Sequence, residues 1–437
     1  MKKFLFLLLF GSPIFLFAQQ SWTITPKSDM PEPVSNNAVV EGFIGDTAFV
    51  FSFAGIDTTK IYSGIHLRSF KYNTVTDQWH TIAPLPDTLG KVAAGASRVG
   101  DTIYIIGGYH VFEDDTELSS NRVHRYDLVN DRYLADGQPI PTAIDDQVQL
   151  VWKDSLIYVI TGWSDSRNVP LVQIYDPSKD EWMSGTSTPN SRRYRSFGAS
   201  GTLVGDTIYY FGGASDFSGF SAQEEMRKGV IDPNDPTKID WSQFTPEPEQ
   251  TAYRAVATTV NEKAYWIGGS KITYNYDGLA YSNNQGVPTA NQVLVFDPTT
   301  EQLVAETYDF LPMDLRGIAI TGANERYLAG GMLEDQQVGN KTWMLEWQDV
   351  STATATPLDH NPYFLSPNPA YDQLQIGGGK NTTTIHVQIF DLLGRRYFQH
   401  EKLELGQSIS LTDLPAGVYL LQLEENGDRQ TLRFVKK

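Results

Sequence analysis

The sequence predicts an all-β chain: a six-bladed β-propeller closed by an N-terminal strand, then a small C-terminal β-sandwich. Three observations point there. First, GDTIYIIGG at residues 100–108 returns almost unchanged as GDTIYYFGG at 205–213. Looser copies read GDTAFVFSFAG (45–55), KDSLIYVITG (153–162), NEKAYWIGG (261–269) and NERYLAGG (324–331), and their last glycines recur at steps of 51 to 62 residues. A period near 50 residues built from short β-rich runs is that of propeller blades, none of which can bury its faces alone. Second, an aromatic residue precedes a bulky one by seven positions in YNTVTDQW (72–79), YDLVNDRY (126–133), YDPSKDEW (175–182) and FDPTTEQL (296–303). Asp, Asn or Pro after the first aromatic marks a turn between third and fourth strands. Third, the sixth copy is followed only by KTWMLEW (341–347), one strand short of a blade, whereas SWTITPKSDMPEP (21–33) has the form of a lone fourth strand. Pairing the two completes the sixth blade and removes the open edges.

In chain order, residues 1–18 come first, with Lys2 and Lys3, an apolar run from Phe4 to Phe17, and Ala18 before Gln19. This is the pattern of a secretory signal peptide cut between Ala18 and Gln19, too short and too broken at Gly11 to Pro13 for a membrane anchor. No later segment is apolar enough to span a bilayer, so the expected mature chain has no transmembrane segment. Residues 19–350 form the propeller. In each copy a polar pair such as Gly100-Asp101 separates two β-rich runs, as in a hairpin. The glycine pair at the end of the second strand marks unusual dihedrals or close backbone approach; it softens to Ala54-Gly55 and Thr161-Gly162. The fourth turn segment, VIDPNDPTKIDW (230–241), is longer and predicts an enlarged turn. A two-sheet sandwich also accommodates short strands with turn signals, but six tandem copies speak against it. Residues 351–361 read as a linker, and 362–437 as a small sandwich with strands in 386–398, 407–427 and 430–437.

Composition removes several function classes. The formal charge of −18 and the lack of a basic stripe argue against nucleic acid as a partner. With no cysteine there are no disulfides, thiolate metal sites or cysteine nucleophiles. The seven histidines show no metal spacing, and no nucleotide or cofactor fingerprint occurs, so no cofactor, no metal and no catalytic residue is identified. Acidic runs at Glu113-Asp114-Asp115 and 232–236 read as solvated loops rather than calcium sites.

The Gly pairs, Tyr-Asp turns and fourth-strand tryptophans together resemble the kelch repeat across residues 21 to 350, departing from it at Tyr133 and Leu303 and at the two softened glycine pairs. The tail, with SPNPAYDQLQI, IFDLLGR, DLPAGVYLLQL and a terminal FVKK, resembles the type IX (Por) secretion sorting domain of Bacteroidetes. That resemblance implies the type IX machinery as a partner and delivery to the outer cell surface or the medium.

In an up-and-down blade, residues before the first strand and after the second share one mouth of the central channel. Before the first strands stand Asn37, Lys91, Asp146, Arg195, Arg254 and Arg316. The kelch resemblance implies ligand-facing arginines at Arg195, Arg254 and Arg316, whose planar forks suit a carboxylate; bonds to carbonyls of a neighbouring blade are the structural alternative. Tyr109, Trp163, Tyr194 and Tyr253 offer stacking faces for a sugar or packing for the rim. The functional expectation is an exported recognition protein for a glycan or protein ligand. The alternative, by likeness to six-bladed sialate mutarotases, is a carbohydrate-active enzyme with Asp146 or Glu224 as acid/base group. Kelch-bearing galactose oxidases are excluded, because their copper site needs a cysteine.

Overall fold

A left-handed residue is what lets each Gly-Asp step turn the chain between two inner strands. Gly45, Gly100 and Gly205 hold φ of 58°, 55° and 59° there, a conformation that glycine adopts without the Cβ penalty. The computed structural model describes residues 21–217, 219–348, 363–378, 384–391, 395–404, 406–425 and 428–437. The expected signal segment with its Ala18/Gln19 cut, and the expected linker at 351–361, lie outside them. The chain divides into two compact units, Met1–Val350 and Ser351–Lys437.

The first unit is a six-bladed propeller. Blade one runs Ala38–Ile44, Thr47–Ile56, Ile65–Asn73 and Gln78–Ile82, hydrogen-bonded in that order as an antiparallel meander. Blades two to five repeat it, their first strands being Val92–Val99, Val148–Trp152, Ser200–Val204 and Val256–Val260. Blade six takes Ala319–Ile320, Glu325–Ala329 and Thr342–Trp347 from the end of the propeller and its fourth strand, Trp22–Lys27, from the start. That strand pairs in full register, from Trp22 opposite Trp347 to Lys27 opposite Thr342. Trp22 is buried and meets Tyr265 edge-on at 5.4 Å, so closure adds apolar burial to the ladder.

The glycine pairs join the blades. In all six the second glycine donates its N–H to a carbonyl at the entrance of the next blade: Gly55 to Lys91 (3.0 Å), Gly108 to Ile144 (2.9 Å), Gly162 to Ser196 (2.9 Å), Gly213 to Ala252 (2.7 Å), Gly269 to Pro312 (3.0 Å) and Gly331 to Val34 (2.9 Å). The first glycine lies against the same carbonyl: a Cβ on Gly212 would fall 2.0 Å from the Ala252 oxygen. Ala54 and Thr161, in the softened pairs, keep the left-handed backbone with φ of 56° and 47°.

The seven-residue aromatic spacing is a cross-strand pair. Tyr72 lies opposite Trp79, Tyr126 opposite Tyr133, Tyr175 opposite Trp182 and Phe296 opposite Leu303. The three tyrosines each donate a hydroxyl hydrogen bond to the turn aspartate five residues on, Asp77, Asp131 or Asp180. The fourth segment departs from expectation. Instead of an enlarged turn, the strands Met226–Asp232 and Asp235–Phe244 lengthen around a tight turn, and a bulge at Ile231/Asp232 places Trp241 opposite Gly229.

The second unit has two sheets. One orders Tyr363–Ser366, Gln373–Gly378 and Ser408–Ser410; the other orders Arg396–Glu404, Thr384–Asp391, Gly417–Glu425 and Asp428–Lys436. Their alternating apolar residues, among them Leu374, Ile376, Val387, Ile389, Leu421 and Phe434, form one core. Among the described residues no helix is long and apolar enough to cross a membrane.

Candidate functional site: the channel mouth

The backbone supplies a six-membered ring around the axis. At the entrance to each first strand, Asn36, Ala93, Asp146, Gly198, Arg254 and Asp314 all adopt left-handed φ, between 48° and 65°. Five of the six are not glycine, and such residues cost about 1–3 kcal/mol each unless their surroundings hold them. The hold is a chain of inter-blade hydrogen bonds: Asp146 N–H to Ala93 O (3.1 Å), Gly198 to Asp146 (2.9 Å), Arg254 to Gly198 (2.8 Å), Leu315 to Arg254 (3.0 Å) and Asn36 to Asp314 (3.1 Å). Asn36 Oδ1 closes the ring by accepting the Ala93 N–H at 2.8 Å.

Side chains from this ring meet across the axis. Arg254 of blade five donates through Nη2 to Asp146 Oδ2 of blade three at 2.8 Å and through Nε to Asp146 Oδ1 at 3.2 Å. Its Nη1 donates to Asp314 Oδ1 of blade six at 3.0 Å. Arg316 reaches the same Asp146 at 3.2 Å. Asp314 also accepts from Ser35 Oγ (2.7 Å) and Asn36 Nδ2 (3.1 Å). Arg254, Asp146 and Asp314 are all buried. Burial works against the Arg254 charge, but Asp146, Tyr253 and Asp314 outweigh it and hold the guanidinium firmly protonated. Burial raises the Asp314 carboxyl despite Arg254 beside it.

On this plate opens a cavity of about 190 Å³. Its apolar wall is Tyr109, Trp163, Phe197, Phe220 and Tyr281; its polar groups are Glu117, Asp145, Asn275, Asp146 and Arg254. Phe197 is the hub, with Trp163, Phe220 and Tyr281 edge-on to it at 5.5, 5.6 and 6.1 Å. Asp145 is buried and accepts a 2.6 Å hydrogen bond from Ser119 Oγ. Its carboxyl is raised well above the usual range, by burial first and then by Asp146 alongside. Glu117 stands exposed at the rim. A second cavity, about 120 Å³, lies among the first strands and is lined by Gln147, Gln149, Ser200 and Arg316.

The structure brings together Asp146, Arg254, Tyr109 and Trp163 of the residues singled out from sequence. It sets Arg195 apart from Arg254 and Arg316, which meet at Asp146 but line different cavities. Arg195 precedes the ring position of its blade, Gly198, by three residues and pairs instead with Asp216 (2.9 Å) and the Asn168 carbonyl (3.1 Å). Arg316 follows its ring position, Asp314, by two and lines the channel cavity. The alignment of YRSFGAS with YRAVATT therefore slips by three, since Phe197 and Tyr253 are the equivalent bridge residues, opposite Ala214 and Ser270. Asn37 follows the ring residue and binds Ser52 (2.8 Å) and the Ala329 carbonyl (3.2 Å). Lys91 is wholly buried on Asp87 (2.7 Å) beside His124, where burial lowers its ammonium and the pairing holds Asp87 far below the usual carboxylate range even against desolvation. Tyr253 donates to the Tyr274 carbonyl at 3.1 Å; Tyr194 accepts from Tyr210 at its own carbonyl at 2.8 Å. Neither tyrosine, nor Glu224, lines the cavity. Sequence reasoning missed Asp145, Glu117, Phe197, Phe220, Asn275 and Tyr281. The IDDQ run at 144–147 carried a signal for the first, and the long steps to Gly269 and Gly331 signalled the loops that bring in Phe220, Asn275 and Tyr281.

Comparison with known proteins gives the following. Residues 365–437 match the family described as the secretion system C-terminal sorting domain. The propeller is similar to Kelch-like protein 25 of Xenopus tropicalis, 24% identical over 209 residues that make 46% of this chain and 32% of that protein. It is also similar to Kelch-like protein terF of Aspergillus terreus, 22% identical over 275 residues, 61% of this chain and 54% of that protein. The matched stretches thus span from a third to about half of these relatives' lengths. A solved structure titled "Structure of YjhT" superposes with a TM-score of 0.58 at 13% identity, covering 74% of this chain and 97% of that one; it bears on the fold alone. The propeller is of the kelch type, and the tail addresses the chain to the type IX secretion machinery.

Proposed function

We propose that this exported kelch-type propeller is a recognition module that takes the terminal ring of a glycan into the cavity at its channel mouth. One observation carries the reading: an aromatic wall, Trp163 with Phe197, Phe220 and Tyr281, faces a set of fixed polar groups in one concave site. Sugars present an apolar C–H face and a rim of hydroxyls, and such a site offers both a stacking surface and hydrogen-bonding partners. The volume, about 190 Å³, lies below the ~300 Å³ where drug-sized pockets begin, which suits one ring rather than a chain.

The polar groups narrow the class. Arg254 is already bonded to two carboxylates, so an incoming carboxylate would have to displace Asp146 or Asp314 from it. The acidic sugars that a free arginine triad would favour are therefore disfavoured. Binding fits the site better than turnover, since Glu224, one of the two acid/base groups considered for an enzyme, lies off the cavity and Asp146, the other, is held by two arginines.

Isothermal titration of the mature chain with neutral and acidic monosaccharides tests this, beside Trp163→Ala. The reading expects neutral sugars to bind and the variant to lose at least tenfold in affinity. Binding of acidic sugars alone, or neutral binding untouched by Trp163→Ala, would overturn it.

A further inference from the structure

The charge around the cavity is unbalanced in a way that specifies the ligand further. Asp145, Asp146 and Glu117 line it together with a single cation, Arg254. Arg254 is shared with Asp314, and Arg316 lends its second bond to Asp146 from the channel side. Asp146 and Asp314 take up those two arginines, which leaves Asp145 and Glu117 as the cavity carboxyls that no basic side chain bonds among the described residues.

The niche already shows what it can hold. The Arg254 guanidinium lies against two mutually perpendicular rings, Tyr253 at 5.3 Å and Tyr274 at 5.4 Å, with the carboxylates of Asp146 and Asp314 bonded to it. This is the pairing of π-face and carboxylate that stabilises a cation out of water. The cavity repeats the combination with other residues: Trp163, Phe197 and Tyr281 as rings, Asp145 and Glu117 as carboxyls. On the reading that the cavity takes a glycan terminus, we infer that the recognised ring bears a free, protonated amino group, as an amino sugar does, set between the aromatic wall and the carboxyls of Asp145 and Glu117. Asn275 is the remaining polar group of the cavity, an amide able to both donate to and accept from a ring hydroxyl. The acidity of the whole chain, −18, favours approach of such a cation.

The polar and charged groups facing Asp145 are Ser119, Asp146, Glu117 and Arg254. Burial raises the Asp145 carboxyl and so favours its protonated form in the free protein, whereas an ammonium placed against it favours the carboxylate, so that binding shifts the proton toward solvent. N-acylation of the ligand removes both the charge and this exchange.

Isothermal titration of the mature chain with glucosamine, N-acetylglucosamine, glucose and glucuronate, repeated in two buffers of different ionisation enthalpy, tests the inference. Glucosamine should bind at least tenfold more tightly than the other three and release protons. Glu117→Gln, at an exposed position where folding is not at stake, should remove several-fold of that preference, and Asp145→Asn should abolish both the preference and the proton release. Equal binding of glucosamine and glucose, unaffected by either substitution, would overturn the amino-group inference and leave the glycan reading standing. Preference for glucuronate, or no binding by any of the four, would overturn both.

Discussion

Replacing Arg254 by methionine should destabilise the propeller more than any other single change at the mouth. The guanidinium joins blade five to Asp146 in blade three and Asp314 in blade six, with all three residues buried. Methionine fills comparable volume but leaves Asp314 with only Ser35 and Asn36, and Asp146 with only Arg316. Breaking a buried pair by removing one partner costs about 3–5 kcal/mol, mostly as the uncompensated charge left behind. An unfolding entropy of ~2.1 cal/mol/K per residue over roughly 330 residues gives about 0.7 kcal/mol/K, so Tm should fall by about 4–7 °C. Differential scanning calorimetry of the mature chain measures this, with Asp314→Asn and the double variant completing a cycle. In the double variant, where the stranded carboxylate is gone, part of the lost stability should return. A change under 1 °C for Arg254→Met, or no recovery in the double variant, would refute the claim that this ion cluster fastens the blades across the axis.

Other outcomes follow from the same physics. Asp145→Asn should stabilise the chain at neutral pH and progressively less toward pH 4. Because the native carboxyl is raised, the folded chain keeps a proton that the unfolded chain releases above its ordinary range; stability then falls as pH rises, by up to about 1.4 kcal/mol per unit, and urea titrations at several pH values would show the gap between variant and parent widening with pH. Trp22→Ala, in the closing strand, should cost about 3–5 kcal/mol as a buried tryptophan in a packed core; a loss below 1 kcal/mol by calorimetry would mean that the strand adds little to closure. Gly212→Ala and Gly205→Ala both place a side chain at positive φ, but a Cβ at 212 would strike the Ala252 carbonyl whereas nothing lies within 4 Å at 205. The second should lose about 1–2 kcal/mol and the first clearly more, and equal losses would show that inter-blade contact is not what the glycine pair serves.

The blades, their count and the closing strand were legible in the sequence, because each rests on local chemistry repeated at fixed spacing: Gly100-Asp101 for a turn, Gly107-Gly108 for the inter-blade hydrogen bond, Tyr126 with Tyr133 for a cross-strand pair. The mouth was legible only in part. Tyr109 follows a glycine pair and Trp163 its softened form, Thr161-Gly162, so both are placed by the repeat itself. Arg195 looked equivalent to Arg254 because both follow a tyrosine, yet the loop before blade four runs three residues longer past that point, and the ring position falls on Gly198. Phe220 and Tyr281 arrive on long loops between second and third strands, whose paths depend on packing against Phe197 rather than on any periodic signal. Nor could residue type tell that Arg254 and Arg316 satisfy aspartates of other blades: Asp146 and Arg254 are 108 positions apart.

The most direct test of the account is a crystal structure of the mature chain saturated with the tightest-binding sugar. The account predicts the sugar ring in the mouth cavity, stacked on Trp163 or its aromatic neighbours, with the Arg254–Asp146–Asp314 contacts intact. A sugar bound elsewhere on the propeller, or one that pulls Arg254 away from its aspartates to meet a ligand carboxylate, would contradict it.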